Sequence, residues 1–347
     1  MITFAHHHDV RVRALRADEA SNPDARTDLV AVVEPLGDRG SDVVTNLITR
    51  EREALDRAMR DHGCVLFRGF DVDRDTFDQA ISAGFDADRF VWMFPLPPAA
   101  SRLLLRLPVI GWINRRFLGW IETRATGRRL VGDKQSTLAN DQTIQFPHHE
   151  YGIFFNVPRV IAFHCETESE TEGETIICDA RSGWEQLPEP LRHRFETARH
   201  IRYRDENQRW MPPLRAPAVL PHPVDGYPTL NFTAYHHDVA ADVAREIYPD
   251  STISTDELDE TFTFEPTLVA ADGERSRLDA DDVEAIARAH LAHSVLLPWK
   301  RGDVLLMDNF RIVHGRLNAG TPRKVLQVIL CEYVANRPGL SRFARSR

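Results

Sequence analysis

Long apolar runs are missing from this chain. No uninterrupted apolar segment reaches the ~18 residues that a membrane-spanning helix needs, although hydrophobic residues make up 42% of the 347. Cysteine is scarce as well. Cys64, Cys165, Cys178 and Cys331 are scattered, with no CxxC pair. That spacing excludes a zinc knuckle and a disulfide framework, and it fits reduced thiols in a cytoplasmic protein. Positive charge is in deficit: 43 Lys and Arg against 52 Asp and Glu leave a net charge of −9. Such a balance argues against a general nucleic-acid partner. Internal repeats, low-complexity segments and convincing linkers are absent, so a single domain over residues 1–347 is expected. The opening stretch MITFAHHHDVRVRAL lacks an apolar core of signal-peptide length, so export is not expected. Its His6-His7-His8 run reads as a surface cluster.

What remains is patterned. Residues 1–45 read as polar and mostly irregular. Leu47, Ile48, Leu55 and Met59 recur at helical spacing and predict one helix over 46–62, ended by Gly63. Cys64-Val65-Leu66-Phe67 reads as a short buried strand and residues 74–83 as a second helix. The segment 90–130 mixes apolar bulk with Arg106, Arg115, Arg116, Arg124, Arg128 and Arg129. Pro108 and Gly111 interrupt any single long helix there. A helical insertion over about 95–130, packed on the core, is the expectation. A surface for a membrane, a carrier protein or a second subunit is the alternative.

From residue 143 the pattern turns to strands, with candidates at 143–147, 151–156, 159–166, 174–178, 200–204, 229–233, 294–298, 303–307, 311–314 and 324–333. Helices are expected at 182–196 and 280–292, the second N-capped by Asp279. Many short strands with Pro/Gly-rich turns predict a mainly β fold with flanking helices, a sandwich or a barrel.

The chemistry concentrates at His148-His149-Glu150 and, far downstream, His314. Residues two apart on a strand project from the same side. His148 and Glu150 can therefore converge while His149 points away. A third ligand has to come from a distant strand, and His314 in GDVLLMDNFRIVHGR is the best placed. Two imidazoles and one carboxylate cap one face of an octahedral metal and leave the opposite face open, which suits a non-haem Fe(II) oxygenase. Other polar residues do not read as ligands: His164, His222, His236 and His237 read as structural or surface residues, the acidic loop Glu166, Glu168, Glu170 and Glu172 as a solvated face, and Asp308-Asn309 as the former of a turn.

Five stretches carry a family resemblance: GCVLFRGF (63–70), HHEYGI (148–153), PRVIAFHCETESETEGETIICDAR (158–181), HPVDGYPTLNF (222–232) and KRGDVLLMDNFRIVHGRLNAGTPRKVL (300–326). Together, and in this order, they resemble the taurine dioxygenase / clavaminate synthase-like superfamily of Fe(II)- and 2-oxoglutarate-dependent oxygenases (TauD/TfdA-like), nearest to its SyrP-like branch. The His-x-Glu variant is similar to the clavaminate-like members. The resemblance implies a double-stranded β-helix, or jelly roll, over about 60–335. It implies Fe(II) held by His148, Glu150 and His314, with 2-oxoglutarate and O2 as cosubstrates. Thr175 matches the hydroxyl donor to the far carboxylate of 2-oxoglutarate. The basic partner falls on Arg323 first, Lys324 second and Arg316 third. A buried carboxylate needs such a cation, and lysine lacks the bidentate fork of arginine. Position alone suggests Asn140, Gln142, Arg209 and Trp210 as substrate contacts. The implied reaction is hydroxylation of an unactivated C–H bond in an amino-acid-like or carrier-tethered small molecule. Halogenation is disfavoured because family halogenases lack the carboxylate ligand. Two rival readings are a jelly-roll binding or regulatory protein without turnover, and a Zn(II) hydrolase using the same ligands.

Overall fold

The computed structural model describes residues 4, 9–88, 90–107, 129–130, 136–137, 144–205, 214–232, 237–253, 264–322 and 325–336. Two sheets dominate. The larger has eight strands in the order Val10–Ala14, Val30–Pro35, Cys64–Phe67, Val304–Asp308, Asn156–Thr167, Val325–Ala335, Ser136–Thr137, Arg129–Leu130. The smaller runs Ser294–Leu297, Thr175–Asp179, Ile312–Arg316, Gln145–His148. Every pairing in them is antiparallel except Val30–Pro35 against Cys64–Phe67. That parallel pair requires a crossover, and the helices Ser41–Arg50 and Arg52–His62 supply it.

Alternation along the strands decides what faces what. Ile161, Phe163, Leu305 and Met307 of the large sheet share one core with Ile177, Val295, Leu297 and Ile312 of the small one. The sheets therefore stack face to face. The intervening residues Val160, Ala162, Val304 and Leu306 pack outward against Leu47, Ile48, Leu55, Met59, Phe77 and Ile81 of the N-terminal helices. On the far side of the small sheet, Ile176, Cys178, Leu296 and Val313 meet Val283, Ile286 and Ala287 of the helix Ala280–Leu291. Each fully buried aliphatic side chain contributes roughly 1.5–3 kcal/mol. Strands covered on both faces read as continuous apolar runs, which is why Val304–Asp308 carries no polar alternation.

Several local expectations are corrected. Residues 10–14 and 30–35 are strands of the large sheet, not irregular chain. The helix expected over 46–62 is two helices broken at Glu51 (φ −105°, ψ 27°). That expected over 182–196 splits into Ala180–Gln186 and Glu189–Thr197, with Pro188 at the second N-cap. Residues 151–155 form turns rather than a strand, with Tyr151 at φ 55°. Within the expected insertion, Pro98–Arg106 is helical while Arg129–Leu130 pairs as strand with Ser136–Thr137; residues 108–128 lie outside the described residues. Gly63 does end its helix. It adopts φ 107°, and a Cβ there would lie 2.4 Å from Ile312 Cδ1. The helix end is thus seated directly on the Ile312–Arg316 strand.

Candidate metal centre

His148 and His314 face each other across two antiparallel strands, Gln145–His148 and Ile312–Arg316. A bulge interrupts that ladder between His314 and Arg316. It has a specific effect. Phe146 points into the helix-side core, yet His148, two residues on, stands beside His314 with ring centroids 5.0 Å apart. Without the extra residue the two would share a face.

The imidazole of His148 donates from Nδ1 to the Phe146 carbonyl (2.8 Å), which fixes the tautomer and makes Nε2 the nitrogen that could ligate a metal. Glu150 lies beyond the strand end, where the chain turns. Its carboxylate is 3.5 Å from His314 Nε2. One ligand atom each from His148, Glu150 and His314 falls within 4.8 Å of the others. Glu150 and His314 are buried, at 4% and 6% exposure. Two nitrogens and one carboxylate oxygen converging out of water suit a divalent first-row metal.

Glu150 is held by a residue that sequence reasoning treated as a turn former. The Asn309 side chain accepts from the Glu150 backbone N–H (2.8 Å) and donates to the carbonyls of Glu150 (3.0 Å) and Pro158 (2.8 Å). Its own carbonyl accepts from His149 Nδ1 (2.5 Å). His149 therefore turns away from the ligands, as expected, and pins the turn from behind. Burial pushes its pKa down to about 4. Asp308 accepts from His222 Nε2 (3.1 Å) in a fully buried contact. His164 stacks on Phe77 at 5.3 Å, in keeping with a structural role.

Thr175 opens the strand next to His314. The register pairs His314 with Ile177 and Gly315 with Ile176. Continued by one step, it sets Arg316 opposite Thr175, on the face that carries His314. Both are buried, at 6% and 5% exposure. The Thr175 hydroxyl accepts from Trp299 Nε1 (2.8 Å), so its own proton is directed elsewhere. Trp299 packs against Phe163 (6.2 Å), and Phe163 stands edge-on to His314 (5.5 Å). Sequence reasoning missed Trp299 and Asn309. Arg323, Lys324, Asn140, Gln142, Arg209 and Trp210 lie outside the described residues, as do His6-His7-His8 and His236.

The sequence pattern of the taurine catabolism dioxygenase TauD, TfdA family matches residues 31–330. The chain belongs to the TauD/TfdA dioxygenase family. A clavaminate synthase-like protein of Arabidopsis thaliana is 26% identical over 337 residues, covering 88% of this chain and 91% of that protein. Among solved structures, the PvcB protein from Pseudomonas aeruginosa superposes with a TM-score of 0.57 at 15% identity, covering 98% of both chains. Another structure of PvcB is described as an Fe, alpha-ketoglutarate dependent oxygenase from an isonitrile synthetic pathway. A taurine dioxygenase from Burkholderia xenovorans gives 0.53 at 15% identity, covering 94% of this chain and 93% of that one. These likenesses establish the jelly-roll fold of the family, in which the mainly β core with flanking helices is the expected one. No helix among the described residues is long and apolar enough to cross a membrane.

Proposed function

We propose that this protein is an Fe(II)- and 2-oxoglutarate-dependent oxygenase. Its reaction is hydroxylation of an unactivated C–H bond in a small amino-acid-like molecule, free or tethered to a carrier protein, within a cytoplasmic biosynthetic pathway. The observation that carries this reading is the convergence of His148, Glu150 and His314 on a sheet face shared with Thr175 and Arg316. A hydrolytic zinc site needs no such pair beside it. The clavaminate synthase-like relative and the isonitrile-pathway structure support a biosynthetic small-molecule substrate. Four buried free cysteines support a reducing compartment.

Residue roles follow from placement. His148, Glu150 and His314 would hold Fe(II), whose chemistry with 2-oxoglutarate and O2 is oxidative decarboxylation to succinate and CO2 coupled to substrate oxidation. Thr175, polarised by the Trp299 indole, would donate to the far carboxylate of 2-oxoglutarate. Among the described residues Arg316 is placed to neutralise that carboxylate; Arg323 and Lys324 are the other candidates for the same task. Phe163 and Trp299 form an apolar wall behind His314 and keep bulk water from the reacting face. The Glu150 carboxylate fills the position that halogenating relatives leave vacant, which favours hydroxylation.

Anaerobic addition of Fe(II) and 2-oxoglutarate should produce a visible metal-to-ligand charge-transfer band, and His314→Ala should abolish it. Absence of the band, with no succinate on admitting air, refutes the proposal and leaves the hydrolase or binding-protein reading. Arg316→Ala, Arg323→Ala and Lys324→Ala, titrated separately, identify the anchor: its loss weakens 2-oxoglutarate binding by about 2–3 kcal/mol.

A further inference from the structure

A cavity of about 390 Å³ lies on the N-terminal side of the large sheet. Arg11, Arg16, Arg39, Arg68 and Lys300 line it, against the carboxylates Glu19 and Glu34. Arg11 pairs with Glu34 (2.6 Å), Arg16 lies 3.3 Å from Glu19, and Arg68 holds Asp303 behind the lining, so two positive charges, on Arg39 and Lys300, are left over on a chain whose net charge is −9. Both lining carboxylates have a further partner. Arg13 forks onto Glu19 (2.5 and 2.8 Å) and also reaches Glu34 (2.5 and 3.0 Å), and it is not among the lining residues.

The floor of the cavity is built and rigid. Arg68 is 5% exposed. Its Nε and Nη2 grip the fully buried Asp303 (3.2 and 2.7 Å), and Nη2 also donates to the Pro298 carbonyl (2.8 Å). Nη1 is buried without a hydrogen bond; its nearest carboxylate oxygen, on Glu19, is 3.9 Å away. Held this way, Arg68 sets the charge of the floor, while its Nη1 lies beneath the surface. Above it, Arg39 donates Nε to the Gly69 carbonyl (2.8 Å). No carboxylate among the described residues forms an ion pair with Arg39 or with the Lys300 ammonium.

We propose that this cavity binds the phosphate monoester group of a small molecule or of free phosphate. The group carries close to two negative charges and three acceptor oxygens in one compact unit, matching the two lining cations that have no carboxylate partner, Arg39 and Lys300. A dicarboxylate divides the same charge between two ends and offers less of it to that pair. The proposal is independent of the metal-centre reading, because no residue of that centre lines the cavity.

Titration calorimetry on the full-length chain, at constant ionic strength because exposed charges are screened, tests it. The probes are inorganic phosphate, glycerol 3-phosphate and succinate. Saturable binding of either phosphate is expected, weakened at least tenfold in the double variant Arg39→Gln, Lys300→Gln. Both side chains are peripheral to the Arg68–Asp303 pair, so the unliganded melting temperature should not move. Tighter binding of glycerol 3-phosphate than of inorganic phosphate identifies an ester as the occupant; the reverse identifies free phosphate. No phosphate binding, equal binding by the double variant, or succinate binding as tightly as the phosphates overturns the proposal.

Discussion

Replacing Asn309 with alanine should damage the metal centre without touching a ligand. The side chain makes three hydrogen bonds to buried backbone groups, at 2.8, 3.0 and 2.8 Å. Removing it strands one N–H and two carbonyls, and each buried unsatisfied group costs roughly 1–3 kcal/mol. Some carbonyl loss is recovered by water and by relaxation, so a net loss of about 3–5 kcal/mol is expected, at the upper end for single substitutions. The lost contacts are those that fix the Glu150 main chain, so the carboxylate should wander from His314 and divalent-metal affinity should fall about 10–100-fold, as for other groups that orient ligands. Urea unfolding monitored by circular dichroism gives the first quantity; an anaerobic Fe(II) titration gives the second. Asn309→Asp should not rescue either, because it keeps the acceptor for Glu150 N–H but has no donor for the two carbonyls. A variant that loses under about 1 kcal/mol, or binds metal as the wild type does, would refute the clamp.

Three further outcomes follow from the same geometry. Thr175→Val should weaken 2-oxoglutarate binding about tenfold in a charge-transfer titration while Thr175→Ser retains most of it, and Trp299→Phe should fall between them, since only the orientation of the hydroxyl is lost; equal affinities would remove Thr175 from the cosubstrate site. Burial lowers the His290 pKa from 6.5 to about 3, so the unfolded chain takes up its proton first. Stability should therefore fall as pH drops below about 6.5, by up to about 1.4 kcal/mol per unit from this residue, with no contribution above it. His290→Leu should flatten that acid limb by about 2 kcal/mol between pH 6.5 and 5, and an unchanged slope would show that His290 does not titrate with unfolding. Gly63→Ala places a Cβ 2.4 Å from Ile312 Cδ1 at φ 107° and should cost about 1–3 kcal/mol by thermal melting.

The triad was legible because its logic is local. Positions i and i+2 stay close along the chain, and a single short strand after the Asp308-Asn309 turn carries His314; Glu150 reaches the site from the turn that follows its strand rather than from the strand face. The clamp was not legible. Asn309 and Glu150 are 159 positions apart, and an asparagine after an aspartate reads as a turn in any sequence. Apolar spacing likewise runs unbroken from Val44 through Leu47 and Ile48 to Leu55, Ala58 and Met59, so the break at Glu51 leaves no trace in the pattern. The aromatic run YGIFF looks like strand. In the fold Tyr151 instead lies flat on Trp92, with ring centroids 4.3 Å apart, and the left-handed turn that permits this is a tertiary outcome. Strands 10–14 and 30–35 were hidden by their shortness, since their apolar residues acquire a partner only from the large sheet.

The two histidines and the carboxylate are anchored by unlike means. His148 and His314 sit opposite each other on one rung of a ladder, so their separation is as stiff as the sheet itself. Glu150 hangs from a turn held by side-chain hydrogen bonds, those of Asn309 in front and of His149 behind. Compliance at this centre is therefore confined to a single ligand. The carboxylate arm can lengthen, shorten or shift to suit a substrate, and the sheet never has to repack.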